Sequence, residues 1–568
     1  RLNQIKINSS HYKVILIGIV VFGVITRLWG INYGLPHTEC YPDEKHLITK
    51  AINYGKGDLN PHDFKYPNLY SYLLFFLYGL YYVLGKILGT FHSKIDFMVA
   101  FITNPSIFFL MDRILSVTFG TLTIVITYKL AKKIFDDTIA LISALFMSSS
   151  YLHVIYSHFG VTDIPMTFFL MLALYIILES HEEARLKNYV LAGILAGIAT
   201  STKYNALLLF VPMTIVHLFN VERRHKLLQY VDHRIVLFFI GMGVGFLMGT
   251  PYSILDAKTF VKDFFFNIDH LNRGHGVILG RGWWYHLKFT LLYGVGPVML
   301  IFSIVGTAYI LSKDIKKASI LFSFPIAYYI VAGKGYTVFT RYMLPVVPFI
   351  CIASAVVVHG VTEKIRMRIK ACDMTFILTS LFCCLIVIQP IRNIINFDRT
   401  ISRKDTRLLA AEWVKSNIRD ESSICIVASK WGKIELPKSV DYWRQEYKKA
   451  VTEGGRGRVF KRLIERMEKG NKKGYKIIEY RDLSAKRRVF PNFIVVEGSP
   501  LYFYARRTNS VKNLLHENYE LVKSFESVKG DGKDIIYDQQ NAFYVPYSNF
   551  KDVVRPGPNI YIYRLKSG

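Results

Sequence analysis

Two adjacent carboxylates, Asp43 and Glu44, are the first residues in this sequence whose types and spacing suit acid–base chemistry. They lie in the polar segment 33–70 and directly follow Pro42. Proline at the first helical position and acids in the first turn are typical of a helix start, and Asn53-Tyr54-Gly55 is typical of a stop. The segment therefore predicts a helix that carries two carboxylates at its N-terminus. On this segment alone, the simpler interpretation is that both acids complement the helix dipole.

Further ionisable residues recur at the edges of apolar segments, where such groups are costly and are usually functional or paired. They are Asp163 and the cations Arg27, Lys65, Arg113, Lys203 and Arg341. Asp112-Arg113 is also explained as a local ion pair, and Asp163, which precedes Ile164-Pro165, as a helix cap. Lys203 and Arg341-Tyr342 are also explained as interfacial anchors.

Carboxylates that face cations at a membrane surface suit transfer from a lipid phosphate. The cations would neutralise the leaving phosphate, and a carboxylate would deprotonate an attacking hydroxyl. This chemistry requires no nucleotide-binding fold. The sequence has no Walker A motif, since Gly333-Lys334-Gly335 lacks the glycine spacing and the following Ser or Thr.

The composition predicts that membrane helices position these residues. The 568 residues are 51% hydrophobic and 15% aromatic, and repeated apolar runs of about 18 to 25 residues predict transmembrane helices. The net charge of +29, from 71 Lys+Arg against 42 Asp+Glu, indicates cytoplasmic anchoring loops and contact with anionic lipid or phosphate. Nucleic-acid binding is the weaker interpretation, because the sequence has no long basic block. The six cysteines form no CxxC pair, which argues against a disulfide framework and a zinc ribbon.

The apolar runs predict about eleven spans. They lie near 13–30, 106–128, 138–156, 163–179, 188–201, 204–220, 234–252, 286–312, 318–333, 341–360 and 373–390. The tyrosine-rich run 67–90 is predicted to lie in the membrane interface. Short basic loops follow every second span, so the positive-inside rule places the other loops outside. These are the first outer loop at 33–105, the turns at 158–163 and 202–204, and the loops 253–285 and 334–341.

Beyond residue 393 the sequence becomes a mixed soluble pattern. A helix at 404–417 and strands at 424–428, 476–480, 493–496 and 560–563 predict a small α/β domain on the outer face. The predicted division is a transmembrane catalytic domain at 1–392 and an extracytoplasmic domain at 393–568.

A metal site is an alternative that the sequence leaves open. His37, Glu39, Cys40 and His46 lack a recognised ligand spacing. Asp43 and Asp163 are acids that could hold Mg²⁺ or Mn²⁺.

The chain resembles the GT-C glycosyltransferases that use polyprenyl-phosphate sugars, a group that includes protein O-mannosyltransferases and lipid A aminoarabinosyltransferases. The resemblance covers about residues 13–390. Its motifs are, in chain order, Arg27-Leu28-Trp29-Gly30 through Leu35-Pro36-His37, Pro42-Asp43-Glu44, Phe64-Lys65-Tyr66-Pro67-Asn68-Leu69-Tyr70, Arg113-Ile114-Leu115-Ser116, Thr162-Asp163-Ile164-Pro165, Ser201-Thr202-Lys203-Tyr204 and Arg341-Tyr342-Met343-Leu344-Pro345. Asp405-Thr406-Arg407 to Trp413 is similar to many bacterial and archaeal members.

The resemblance implies a multi-spanning helical core whose first outer loop forms interfacial helices. It also implies inverting transfer from a lipid-monophosphate sugar to a hydroxyl, usually without a required metal. By resemblance, Asp43 is the general base, Glu44 orients substrate or neighbouring cations, and Asp163 is the acid of the second outer loop. Two features depart from the family: the outer domain does not look like a β-trefoil, and Lys65 lies where many relatives carry another residue.

We therefore predict an α-helical polytopic membrane protein with a C-terminal extracytoplasmic α/β domain. It is expected to be a glycosyltransferase of the cell membrane, with an extracytoplasmic active site and no required cofactor, although a divalent metal is possible. The predicted partners are a polyprenyl-phosphate-linked sugar, a hydroxyl acceptor on protein, lipid or glycan, and the bilayer, but no nucleic acid. Catalytic roles fall to Asp43 and Glu44. Substrate-binding roles fall to Asp163, Arg27, Lys65, Arg113, Lys203, Tyr204, Arg341 and Tyr342.

Two alternatives from other classes remain. One is an oligosaccharyltransferase-like enzyme with a pyrophosphate donor and a divalent metal, which chelator sensitivity would reveal. The other is a lipid or solute transporter, which would need polar residues deep in several spans, whereas here they collect at one end.

Overall fold

The computed structural model describes residues 9–221, 231–369, 374–453, 457–470, 474–479, 490–505 and 511–566. Helices make up most of the described residues up to Ile401, and a mixed α/β region follows. Three predicted features lie outside the described residues. They are the basic loop at 222–226 that follows the predicted span 204–220, Lys370 in the basic loop before the predicted span 373–390, and the end of the predicted strand at Tyr480.

Every predicted span coincides with a helix or a pair of helices. The unbroken ones are Ser9–Leu28, Ser106–Ile134, Asp163–Glu182, Leu186–Thr202, His233–Gly249, Ile315–Gly333 and Met374–Ile401. In two further spans a short 3₁₀ turn leads into the α-helix. These are Tyr204–Leu209 before Phe210–Asn220, and Thr340–Val346 before Val347–Ile369.

Length and composition support fewer crossings than the predicted eleven. Among the described residues, six helices are long and apolar enough to cross a membrane, and eight if each of two bent pairs is one span. Leu186–Thr202 and His233–Gly249 have 17 residues each, whereas a bilayer core requires about 20. The predicted class, a helical polytopic membrane protein, is confirmed.

The predicted continuous span at 138–156 is wrong in one respect, because it breaks. Asp137–Ser148 and Tyr151–Ser157 meet at an angle of 56°. Serine side chains compete for helical carbonyls, as the Ser148 hydroxyl does when it donates to the Leu145 carbonyl at 2.8 Å. The run of three serines at 148–150 therefore weakens the helix where it bends.

The predicted span at 286–312 is also broken. Gly282–Gly294 and Pro297–Lys313 lie at 116° to each other. Gly296 between them has a φ of +90°, which glycine adopts without strain. Pro297 then occupies the first turn of the second helix, a position that suits its missing N–H.

The loops predicted to lie outside contain helices of their own. Pro42–Tyr54 begins and ends as predicted, and Leu69–Ile87 is not among the candidate spans. The stretch predicted as a loop at 253–285 holds the helix Ala257–Arg273, which Asp256 caps by accepting from the Thr259 N–H at 3.4 Å. Shorter helices at Lys94–Thr103, Tyr252–Leu255 and Gly282–Tyr285 complete this part of the chain.

A five-stranded sheet forms the C-terminal region. Its strands are β1 Ser423–Val427, β2 Lys476–Glu479, β3 Phe493–Gly498, β4 Tyr519–Phe525 and β5 Asn559–Leu565. The order is β2-β1-β3-β5-β4, with β1 parallel to β2 and β3, and β5 antiparallel to β3 and β4. The sheet matches the predicted α/β region and contains one further strand, β4. Only the first residue of β4 is buried, so its sequence shows little alternation of apolar and polar residues.

Helices cover this sheet. Thr406–Asn417 packs Ala410 and Val414 against the strands, in a core with Ile424 and Val495. The remaining helices are Val440–Thr452, Gly457–Lys469, Tyr502–Ala505 and Lys512–Asn518.

The chain divides into two compact units. The first comprises residues 1–29, 49–75 and 112–396, and it contains the membrane helices. The second comprises residues 30–48, 76–111 and 397–568. Asp43 and Glu44 therefore belong to the same unit as the C-terminal sheet.

Candidate active site

A buried ion pair joins Asp163 and Lys203 in the first unit. Asp163 is the first residue of the helix Asp163–Glu182, and Lys203 follows the helix Leu186–Thr202 in extended conformation. The Lys203 ammonium donates to Asp163 Oδ1 at 2.5 Å, and the two side chains are 10% and 2% exposed. The predicted second-loop acid is thus engaged by a cation.

Arg341 adds a second cation to this pair. Its Nε lies 4.0 Å from Asp163 Oδ2, and its guanidinium lies 4.0 Å from the ring centroid of Phe339. The Lys203 ammonium lies 5.0 Å from the ring centroid of Tyr342. The structure therefore brings together four of the predicted substrate-binding residues. An ammonium has three N–H donors and a guanidinium five, so each cation can contact Asp163 and a second acceptor at once.

Buried tyrosines, which the sequence did not single out, hold the turn that carries Arg341. The hydroxyls of Tyr156 and Thr340 are 2.5 Å apart. The Tyr328 hydroxyl donates to the Tyr342 carbonyl at 2.6 Å. Both tyrosines lie inside apolar runs without motif spacing, so only the three-dimensional structure assigns them a role.

A histidine pair from the helix Ala257–Arg273 and the turn after it lies beside the same turn. His270 Nε2 and His275 Nδ1 are 3.1 Å apart, and the His275 ring centroid is 5.1 Å from that of Phe339. Burial and, second, the charge of Arg341 lower the pKa of His270. A neutral His270 is therefore favoured near Arg341. Sequence reasoning missed this pair, because two histidines in a loop form no recognised motif.

Arg113 lies next to the second-loop turn. Its guanidinium is 5.7 Å from the ring centroid of Phe159, four positions before Asp163. The neighbouring Asp112 accepts from the Tyr70 hydroxyl at 2.6 Å, and a Cβ on Gly160 would approach Asp112 Oδ2 to 1.7 Å. Glycine is therefore required at position 160, because any larger side chain would overlap the buried Asp112 carboxylate.

Arg27 occupies the break in the span at 137–157. It donates to the carbonyls of Met147 and Ser148, both at 3.4 Å, and its Nη2 lies 3.0 Å from His153 Nδ1. These carbonyls end a helix inside the apolar region, where backbone groups must find partners within the protein. The structure therefore gives Arg27 a helix-capping function. The predicted role in substrate binding stays a prediction.

Lys65 and Tyr204 contact other residues. Lys65 is exposed, with its ammonium 5.1 Å from the ring centroid of Phe266. Tyr204 donates to the Phe64 carbonyl at 2.7 Å and anchors that segment. The buried lysine of this region is Lys50, which donates to the Asp63 carbonyl at 2.8 Å and whose pKa burial lowers to about 8.

Asp43 and Glu44 lie in the first turn of Pro42–Tyr54, as predicted. Glu44 is fully buried, while Asp43 is partly exposed. A helix N-terminus stabilises a carboxylate charge. The catalytic roles of both residues stay predictions.

The proposed metal ligands at 37–46 have other partners. His37 Nε2 contacts the Lys433 carbonyl at 2.7 Å, and His37 Nδ1 accepts from the Glu39 N–H at 3.1 Å. Within the described ranges, no three His, Cys, Asp or Glu residues cluster as a metal site would require. The expected activity without a required metal stays a prediction.

Part of the membrane core is similar to a known protein family. Residues 107–248, which include Asp163 and Lys203, match the model of the family described as dolichyl-phosphate-mannose-protein mannosyltransferase. No curated protein matches the chain. The predicted resemblance to polyprenyl-phosphate-dependent GT-C enzymes is confirmed by the family match.

A solved structure shares the fold. ArnT from Cupriavidus metallidurans, bound to undecaprenyl phosphate, is 12% identical, with a TM-score of 0.51 over 98% of each chain. The oligosaccharyltransferase of Archaeoglobus fulgidus, tethered to an acceptor peptide, is 14% identical, with a TM-score of 0.46 over 74% of this chain and 62% of that chain. The apo form of the latter is 13% identical, with a TM-score of 0.45 over 74% of this chain and 63% of that chain. In these two matches the chain spans less than two thirds of the archaeal enzyme's length.

Proposed function

We propose that this chain, whose residues 107–248 match the dolichyl-phosphate-mannose-protein mannosyltransferase family, is a GT-C membrane glycosyltransferase that moves one sugar from a polyprenyl phosphate to a hydroxyl acceptor on the extracytoplasmic side. The observation that carries the proposal is the buried cluster of Asp163, Lys203 and Arg341. Two of its three members lie within the segment that matches the family.

The cluster supports phosphate recognition. Charge-assisted hydrogen bonds from ammonium and guanidinium groups to phosphate oxygens are about twice as strong as neutral ones. Low exposure strengthens such bonds and fixes their geometry before reaction. Asp163 holds Lys203 in place, and the Phe339 ring supports the guanidinium of Arg341. In this proposal both cations stabilise the lipid phosphate as the bond to the sugar breaks.

The acceptor would be activated by Asp43. The general base must remove a proton from the attacking hydroxyl while the lipid phosphate leaves from the opposite face of the sugar, which gives inversion. Asp43 is proposed for this role by its family motif and its place in the first turn of Pro42–Tyr54. Glu44, fully buried beside it, is proposed to orient substrate or neighbouring cations.

The test uses purified protein in lipid nanodiscs with a panel of radiolabelled polyprenyl-phosphate sugars and hydroxyl acceptors. One sugar is expected to move, with EDTA leaving the rate unchanged. Loss of transfer with EDTA would favour the metal-dependent alternative. Absence of transfer from every donor would refute the proposal.

Variants then assign the phosphate site. Arg341→Ala is expected to lower kcat/KM for the donor roughly 30-fold, as loss of a charge-assisted contact of about 2 kcal/mol predicts. Arg234→Ala is the matched control, because Arg234 also pairs with an aspartate, Asp232, at 2.7 Å and is 21% exposed. Equal effects of both changes would show that Arg341 acts only through folding.

A further inference from the structure

The start of the first outer loop, residues 30–41, is bound by side chains of the C-terminal region within the second unit. The Tyr33 hydroxyl donates to Asp405 Oδ2 at 3.3 Å and accepts from Arg407 Nη2 at 3.1 Å. Arg407 also donates twice to Asp405, at 2.8 and 2.7 Å. Tyr33 is 2% exposed, and Asp405 and Arg407 are 0% exposed.

This network is rigid because its members have further partners. Arg407 Nη1 donates to the Trp431 carbonyl at 2.6 Å, and its guanidinium lies 5.4 Å from the ring centroid of Tyr544. Burial and, second, the charge of Asp405 raise the pKa of Tyr33 well above its ordinary value. The phenol therefore keeps its proton and can donate it to Asp405.

A second anchor follows four residues later. His37 Nε2 donates to the Lys433 carbonyl, since its Nδ1 already accepts from the Glu39 N–H. Glu435 accepts from the Thr38 N–H at 3.2 Å and from the Thr38 hydroxyl at 2.7 Å. Both contacts fix the backbone of the loop as well as its side chains.

Aromatic packing carries the attachment to the helix that follows. The rings of Tyr33 and Tyr41 meet Phe543 edge-on, with centroids 5.8 and 5.3 Å apart. Tyr41 is fully buried and directly precedes Pro42, the first residue of Pro42–Tyr54.

We infer that the C-terminal domain is a positioning element, which holds residues 33–41 and thereby sets the location of Asp43 and Glu44. Tyr33, Asp405, Arg407 and Glu435 are then positioning residues. The inference rests on the proposed function, since it assigns the purpose of the attachment to transfer. A misplacement of about 1 Å at a reacting group costs roughly 10²-fold in rate, so an anchor one residue before the helix is well placed to control it.

Cys40 is a probe for opening of the loop at residues 30–41. It is 1% exposed, and its thiol lies 3.6 Å from the Gly34 carbonyl. Cys372 and Cys384 are replaced by serine so that they do not react. The remaining cysteines, Cys351, Cys383 and Cys425, are buried. The labelling rate of Cys40 by a membrane-impermeant maleimide then measures how often the loop opens.

The test compares Tyr33→Phe with Tyr475→Phe. Each change removes one buried hydroxyl, but the Tyr475 hydroxyl bonds to the Val414 and Ile418 carbonyls inside the sheet domain. Tyr33→Phe is expected to raise Cys40 labelling about tenfold and to lower kcat about tenfold, as the loss of one buried hydrogen bond predicts. The donor KM should stay unchanged. Tyr475→Phe should lower the melting temperature and leave Cys40 labelling and kcat unchanged.

Glu435 gives an independent variant pair. Glu435→Ala removes both acceptors of Thr38, and Glu435→Gln keeps one carbonyl acceptor, so labelling and kcat should be partly rescued by Gln. Unchanged Cys40 labelling in Tyr33→Phe and Glu435→Ala would overturn the attachment. Faster labelling with parental kcat would overturn the positioning role. Absence of transfer by the parental enzyme would instead overturn the proposed function, and Cys40 labelling would still decide whether the domain holds the loop.

Discussion

Lys203→Met removes the charge of Lys203 and keeps most of its length, which isolates the role of its pair with Asp163. The Lys203 ammonium is 2.5 Å from Asp163 Oδ1, and both side chains are nearly buried. Removal of one partner leaves a buried carboxylate, which costs about 3–5 kcal/mol. Arg341 Nε, 4.0 Å from the other carboxylate oxygen, offsets part of this. We therefore expect Lys203→Met to lower the free energy of unfolding by about 3 kcal/mol, near the lower end of that range.

The double variant with Asp163→Asn separates folding from phosphate binding. Two neutral side chains of similar volume restore most of the stability, leaving a loss of about 1 kcal/mol. Donor binding should not recover, because the cation is still absent. In both variants kcat/KM for the donor should be lower by about 30-fold, which corresponds to about 2 kcal/mol.

The assay pairs melting temperatures in nanodiscs with initial rates over a range of donor concentrations. Lys133→Met is the control, because Lys133 pairs with Glu179 at 2.7 Å and is 14% exposed. Parental transfer by the double variant would refute the reasoning. Lys203 would then serve only to neutralise Asp163.

Three further predictions concern other parts of the molecule. Asp43→Asn should keep expression and donor binding near normal and slow transfer by roughly 10²-fold or more; transfer at the parental rate would mean that Asp43 only complements the helix dipole. Gly160→Ala should lower the melting temperature by an amount equivalent to about 2 kcal/mol, because its Cβ would overlap the Asp112 carboxylate; an unchanged melting curve would contradict this packing. Burial lowers the pKa of His37 below its ordinary 6.5, so the unfolded chain binds the extra proton first, and stability should fall as the pH drops below about 6.5. Melting temperatures between pH 7.5 and 5.5 check this, and His37→Gln should flatten the profile.

The membrane helices could be predicted because apolar length is a local property of the sequence. The breaks could not be predicted in the same way. At Ser148 the helix ends because Arg27, from another helix, satisfies its freed carbonyls, and no local pattern encodes that partner.

The candidate site was predictable in residue type but not in pairing. Asp163, Lys203 and Arg341 stand out as ions at the ends of apolar runs, yet each is also explained locally as a cap or an anchor. Their contact depends on how three separate helical segments pack. Tyr156, Tyr328 and His270 were missed because tyrosines in apolar spans and a histidine in a loop have many ordinary roles.

The attachment of Tyr33 has a consequence for biosynthesis. Its partner Asp405 lies 372 positions later in the chain. At about 5–20 residues per second, the ribosome needs roughly 20 to 75 s to make the intervening sequence. During that interval the predicted first outer loop has emerged without the residues that hold it. The helix that bears Asp43 therefore takes its final position late, and a nascent chain stalled before Asp405 should contain the membrane core and remain inactive.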